Sequence, residues 1–211
     1  DNIDIVINEL DALAHIDLKT KEIKAIGRTL NIVRIGTSGS VQADIPVDSF
    51  VISEKSIGCD GVLRFYANNE SVCDHPFEEA FIRHCRWTPS AARPYVVNAD
   101  PGLADRLYDE EHTIKGVTLT AVGFYGPQGR VLRLPLAMPG INDRITAFRY
   151  EGYKVTNYEM ESAAITGLCN LLGHRAATIC LIIANRINGD ASADYHSYMN
   201  KLIRYTLEKL S

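Results

Sequence analysis

Two carboxylates one residue apart, Glu159 and Glu161, lie in the run Asn157-Tyr158-Glu159-Met160-Glu161-Ser162, at the mouth of an apolar stretch. From Met160 the apolar positions continue through Ala163, Ala164, Ile165, Leu168, Leu171 and Leu172 until Gly173. That spacing predicts a largely buried helix starting at Glu159, with glycine as its C-terminal cap. The ordinary reason for acids in a first turn is the helix dipole, which they complement by about 0.3–1 kcal/mol. The alternative is chemical: paired carboxylates beside a reacting centre that becomes cationic.

Three more polar clusters support the chemical reading. Arg34 falls inside the β-rich run Asn31-Ile32-Val33-Arg34-Ile35, which is followed by Gly36-Thr37-Ser38-Gly39. A guanidinium with open backbone N–H groups and hydroxyls suits an anion, although a Gly-Thr-Ser-Gly stretch alone is more often only a turn. Neither G-x-x-x-x-G-K-[ST] nor G-x-G-x-x-G occurs, so the anion expected is a small one. Gln128 and Arg130 lie in the loop Gly126-Pro127-Gln128-Gly129-Arg130, and Arg186 follows Asn185 at the end of an apolar run. A glutamine both donates and accepts, whereas arginines only donate, a combination that suits a ring with carbonyls flanking an N–H. Cys73-Asp74-His75 and His84-Cys85 fit no usual zinc spacing and read as a surface loop and helix. No G-x-S-x-G elbow is present, and Ser162 reads as a packing or capping residue.

The elements that must position these residues alternate. An opening helix carries Ile3, Val6, Ile7, Leu10 and Leu13, with Asp1 or Asn2 as its N-cap. Strands are expected at 31–35, 49–56, 92–98, 118–124 and 176–184, and helices at 76–86, 103–111, 142–150 and 193–210, while 57–75 shows no firm period. The fold class expected is a three-layer α/β/α sandwich with a mixed, mostly parallel central sheet. Ligands of such sheets lie beyond the carboxyl ends of the strands, where all four clusters fall.

Composition sets the bounds. The chain has 211 residues, 46% hydrophobic and 23% charged, with net charge −4, enough for one core in a single domain spanning 1–211. The acidic balance, with a pI near 5.9, argues against nucleic acid as the partner. Without a run of roughly eighteen apolar residues or a leader, and with five cysteines forming no C-x-x-C pair, the expectation is a cytoplasmic protein without membrane attachment.

Arg34-Ile35-Gly36-Thr37-Ser38-Gly39, Phe124-Tyr125-Gly126-Pro127-Gln128-Gly129-Arg130, the Asn157 to Ser162 run and Asn185-Arg186, in this order, resemble the uridine phosphorylases of the nucleoside phosphorylase I family. The resemblance implies reversible phosphorolysis of uridine to uracil and ribose 1-phosphate, with inorganic phosphate as co-substrate and neither cofactor nor metal. By the same resemblance Arg34 and Thr37 hold phosphate, with Thr37 also at the ribose. Glu161 holds the ribose 2′-hydroxyl, Met160 packs under the sugar, and Glu159 belongs to the ribose side, orienting the helix start. Gln128 and Arg130 read the uracil edge, Arg186 lines that end and Phe124 stacks on the base. The residues expected to carry catalysis are Arg34, Glu161, Arg130 and Arg186.

The order of Gly126 and Pro127 and the neighbour of Arg130 are points at which the family varies, so the path of that loop is open. The family's opening portion, with a Gly-Asp-Pro phosphate turn, further phosphate arginines and a histidine lent across a subunit interface, has no counterpart here. The expectation is therefore an N-terminally incomplete domain, inactive when it begins at Asp1, from a homo-oligomer whose sites are shared across a dimer interface. A purine or broad-specificity phosphorylase, which would present an aspartate near Asn185, a nucleoside hydrolase and a non-catalytic nucleoside-binding relative are the alternatives.

Overall fold

In the computed structural model, which describes residues 2–211, the chain opens on α1 (Asn2–His15) and enters the sheet with β1 (Asn31–Ser40) and β2 (Phe50–Gly58). Two 3-10 turns, Val62–Phe65 and Asn69–Val72, fill the stretch without a period and lead to α2 (His75–Cys85). There follow β3 (Tyr95–Asn98), α3 (Pro101–Leu107), β4 (Thr113–Thr120), α4 (Ile141–Ala147), β5 (Arg149–Tyr150) and β6 (Tyr153–Glu159). The chain closes with α5 (Ser162–Leu172), β7 (Arg175–Asn185), β8 (Asp190–Ala191) and α6 (Tyr195–Leu210). The Asp1 alternative for the first N-cap lies outside the described residues, and Asn2 is already helical.

The sheet is mixed, and its two longest ladders, β1 with β7 and β2 with β4, are parallel. β4 also runs parallel to β6. β6 then meets β1 antiparallel through their last residues only, Gly39 opposite Tyr158 and Ser40 opposite Asn157. The start of β2 pairs antiparallel with the middle of β7, Phe50 opposite Leu181, so the path β2-β4-β6-β1-β7 returns to β2. Helices cover both faces. Ala176 of β7 packs into a core with residues of α1 and α5, whereas Ala177, Ile179 and Leu181 pack with α3 and α6. This two-sided cover is why β7 reads as an almost unbroken apolar run.

Local chemistry explains most boundaries. Asp74, Asp100 and Asp194 accept from Phe77 N, Leu103 N and Ser197 N to start α2, α3 and α6. α5 ends on Gly173 at φ 75. Four expectations are corrected. The strand expected at 118–124 runs Thr113–Thr120, because Gly116 is no strand breaker here; a Cβ on it would lie 2.2 Å from Thr156 Cγ2, so glycine lets β4 and β6 approach. The helix expected at 103–111 runs Pro101–Leu107, since Asp109 turns the chain by accepting from Glu111 N. The strand expected from 92 begins at Tyr95, after Pro94, which has no N–H for a ladder.

The fourth correction concerns the organising motif. Residues 157–159 end β6, and the helix starts at Ser162, with Glu161 as its N-cap residue. The polar sequence of β6 hides its burial, which is compensated by pairing: Thr118 Oγ1 and Thr156 Oγ1 both donate to Asn157 Oδ1, at 3.0 and 2.7 Å.

Candidate active site

All nine residues singled out by sequence line one cleft of about 280 Å³. Arg34 and Thr37 come from β1, Phe124, Gln128 and Arg130 from the loop after β4, Glu159, Met160 and Glu161 from the β6–α5 junction, and Arg186 from the end of β7. Residues 36–39 are not a turn, as expected from their composition, but the last part of β1. Their glycines serve side chains instead. A Cβ on Gly36 would stand 2.6 Å from Arg34 Nη1, and one on Gly39 would stand 3.2 Å from Arg186 Nε. A register shift between Ser38 and Gly39 passes over Ile183, which joins the cleft wall.

One end of the cleft is a closed charge cluster. Arg34 pairs with Glu161 and, at 3.3 Å, with Glu159, and its Nη1 donates to Cys180 Sγ at 3.1 Å. Burial works against the guanidinium's charge, but Cys180, Glu159 and Glu161 outweigh it and hold Arg34 above its ordinary value. Burial pushes the Cys180 thiol up to about 11, so it is neutral at physiological pH and acts as an acceptor. Glu159 is buried and its oxygens are occupied: Oε1 accepts from Thr120 Oγ1 at 2.5 Å, and Oε2 accepts from the backbone N–H groups of Glu161 and Ser162 at 2.8 Å each. Desolvation raises its pKa above the usual glutamate value despite Arg34 and these donors. Glu159 thus fixes the backbone at the start of α5, while Glu161, about one third exposed, faces the cleft.

The other end carries two guanidiniums and, among the described residues, no ion pair to either. Arg130 Nη1 donates to Gln128 Oε1 at 2.8 Å and to Phe124 O at 2.7 Å, and its guanidinium lies 3.8 Å over the Phe124 ring. Arg186 Nη2 donates to the same Gln128 Oε1, Nη1 donates to Gln128 O at 3.3 Å, and the guanidinium lies 4.4 Å over the Tyr158 ring. Among the described residues its buried Nε has no hydrogen-bond partner. Burial and the neighbouring Arg130 charge bring Arg186 down to about 10, so it remains charged at neutral pH at a cost that an electron-rich ligand would offset. With both arginines on its oxygen, Gln128 presents its amide N–H groups, and the acceptor expected of it from sequence for a ring N–H is already engaged.

Asn185 stands apart from the cleft. Its Nδ2 donates to Gln42 O and Ile45 O, and its Oδ1 accepts from Ile187 N and Asn188 N. No individual role was assigned from sequence to Ser38, whose buried hydroxyl lies beside the Cys180 thiol, to Tyr158 under Arg186, or to Cys180. Ser38 and Tyr158 lay within the motifs quoted; Cys180, inside an apolar run, gave no signal.

The cysteines and histidines outside the cleft have other partners. Cys73 Sγ donates to Asn69 O, His75 pairs with Glu70 and Glu78, and His84 Nε2 lies 3.0 Å from Arg144 O. Asp11, His15 and His174 bring one ligand atom each within 4.8 Å of one another. Leu30 N–H donates to His174 Nδ1 at 3.2 Å, which leaves the ring proton on Nε2, 3.2 Å from Asp11 Oδ1. The cluster ties α1 to the α5–β7 junction.

The cleft lies beyond the strand ends of an α/β sheet, the usual place for a small ligand, and comparison with known proteins specifies the family. Residues 5–206 match the family model of the phosphorylase superfamily, and the chain belongs to that family. Uridine phosphorylase A of Schistosoma mansoni is 36% identical over 160 residues, 75% of this chain and 49% of that protein. Uridine phosphorylase of Thermococcus kodakarensis is 27% identical over 176 residues, 81% of this chain and 53% of that protein. The chain therefore spans about half the length of these curated relatives. The crystal structure of Trypanosoma brucei nucleoside phosphorylase, which shows uridine phosphorylase activity, superposes with a TM-score of 0.84 at 25% identity, covering 100% of this chain and 76% of that one.

The fit between Gly36 and Arg34 predicts a selective defect. Gly36→Ala is expected to leave the thermal midpoint within a few degrees, because the clash falls on a flexible side-chain end, while displacing the guanidinium. If Arg34 holds phosphate, the affinity measured by calorimetry falls about tenfold. An unchanged affinity would show that Arg34 is not an anion ligand.

Proposed function

We propose that this cleft performs the phosphorolysis of uridine, giving uracil and ribose 1-phosphate in pyrimidine salvage. Phosphate attacks the anomeric carbon while the base departs with the electron pair of the glycosidic bond, so the sugar becomes cationic and the base anionic. Such a reaction needs negative charge at the sugar and positive charge at the base. In this assignment Arg34 and Thr37 hold phosphate, Glu161 holds the ribose 2′-hydroxyl and faces the developing cation, and Met160 packs under the sugar. Gln128, Arg130 and Arg186 donate to the carbonyl oxygens of the base, and Phe124 stacks on it. Inorganic phosphate is the co-substrate. The working enzyme is a cytoplasmic homo-oligomer with sites shared between subunits. Among the described residues no helix is long and apolar enough to cross a membrane.

The observation that carries the reading is the polarity of the cleft, with carboxylates around one arginine at one end and two arginines without a carboxylate at the other. The same end argues for uracil. Cytosine would turn an amino group toward donors, a buried mismatch that typically costs about 1–3 kcal/mol. A purine needs a proton at N7, and Asn185, whose side chain is fully engaged elsewhere, has none to give. In the intact gene product that contains these 211 residues, base release is expected to require phosphate and to favour uridine strongly over cytidine, inosine and adenosine. Comparable rates on inosine, or release without phosphate, would refute the assignment.

A further inference from the structure

We propose that Asn142, on the first turn of α4 and outside the cleft lining, is a positioning residue that holds the base-reading loop in its working shape. The inference rests on the uridine reading of the cleft and adds a specificity determinant to it. Asn142 Nδ2 donates to two successive loop carbonyls, Gln128 O at 3.1 Å and Gly129 O at 3.3 Å. Its Oδ1 accepts from Tyr158 Oη at 3.1 Å. Tyr158 carries the Arg186 guanidinium on its ring, and Arg186 returns to both oxygens of Gln128. The four side chains close a ring, Asn142 to Tyr158 to Arg186 to Gln128 and back, of which only Asn142 comes from outside the cleft.

The loop has few other supports. It is a single 3-10 turn, Gly126–Gln128, with bonds from Gln128 N and Arg130 N to Tyr125 O and from Gly129 N to Gly126 O. Phe124 and Tyr125, which lead into it, are exposed. Gly129 sits at φ +68, and a Cβ there would fall 2.5 Å from Asn142 Nδ2, so the left-handed turn and the amide beneath it are fitted to each other. Without Asn142 the turn keeps its internal bonds but loses its tie to α4. Gln128 would then no longer be held where both arginines reach one oxygen and its N–H groups face the ligand.

The test compares Asn142→Ala, Asn142→Asp and Tyr158→Phe with the unsubstituted protein. Readouts are uracil affinity, ribose 1-phosphate affinity, thermal midpoint and amide exchange across residues 124–130. In Asn142→Ala, uracil affinity is expected to fall about tenfold and the uridine-to-cytidine preference to narrow. Ribose 1-phosphate affinity should hold, because Asn142 bonds to Gln128, Gly129 and Tyr158 and to none of Arg34, Thr37 and Glu161. Exchange in the loop should quicken without a shift in thermal midpoint beyond a few degrees. Asn142→Asp keeps the acceptor for Tyr158 but turns a carboxylate on two carbonyls, so it should match or exceed the alanine defect. Tyr158→Phe should give a smaller defect of the same kind. Equal loss for both ligands, or unchanged uracil affinity and loop exchange in Asn142→Ala, overturns the proposal. If the unsubstituted protein fails to bind uracil, the uridine reading falls by itself; faster loop exchange in Asn142→Ala would then still uphold the strut, and unchanged exchange would remove both.

Discussion

Glu161→Gln is expected to lower turnover by roughly two to three orders of magnitude, about 2–4 kcal/mol, with little change in KM. The side chain makes no capping bond at the start of α5, where Glu159 does that work, so the fold should survive the substitution. Glutamine keeps the size and can still accept from a hydroxyl, but it cannot face a sugar that becomes cationic with a full negative charge. The charge matters most when the glycosidic bond is breaking, which is why the loss should appear in kcat. Arg34 loses one of its two carboxylates at the same time, which frees it for phosphate and should keep phosphate affinity level or improve it. Steady-state kinetics varying uridine and phosphate separately check both points. A variant with normal kcat and a raised KM would make Glu161 a ground-state ribose ligand and remove its role in the transition state.

The second large effect concerns the base end. Arg130→Ala is expected to reduce kcat/KM on uridine by about two orders of magnitude or more. In the proposed assignment Arg130 supplies one of two charges beside the leaving base; it also bonds Gln128 Oε1 and rests on Phe124, so its loss removes a donor and loosens two neighbours. The remaining Arg186 should gain, because the Arg130 charge is one of the causes that depress its pKa. A pH profile therefore offers a second readout. In the unsubstituted protein the base end loses positive charge as pH rises through about 10, and removing Arg130 should move that limit upward. Activity on uridine that survives the substitution would show that the loop does not read the base.

The sequence by itself determined the alternation of strands and helices, the apolar run of β7, the stop at Gly173 and the identity of the residues around the cleft. These are local matters. A period of two or 3.6, a glycine cap or an arginine in a β-rich run is decided by neighbours within a few positions. Even the boundary errors at β4 and at the start of α5 left the chemistry-bearing residues at the correct ends of their elements.

What the tertiary structure decided were relations between segments far apart in the chain. Gly36 and Gly39 read as a turn because glycine usually signals one, yet here they are strand residues that make room for Arg34 and for Arg186, which lies nearly 150 positions away from either. Residues 153–159 did not read as a strand, because the groups that satisfy their polar side chains, the Thr118 hydroxyl and the Val117 carbonyl, come from β4 across the sheet. Glu159 and Glu161 look equivalent in sequence, and only burial separates them: one is enclosed by Thr120, Arg34 and two backbone N–H groups, the other faces the cleft. Gln128 could donate or accept by its chemistry, and it was the approach of two arginines from different strand ends that took its oxygen. Such choices depend on which groups share a solvent-poor space, a property of the packed chain that no window of neighbouring residues contains.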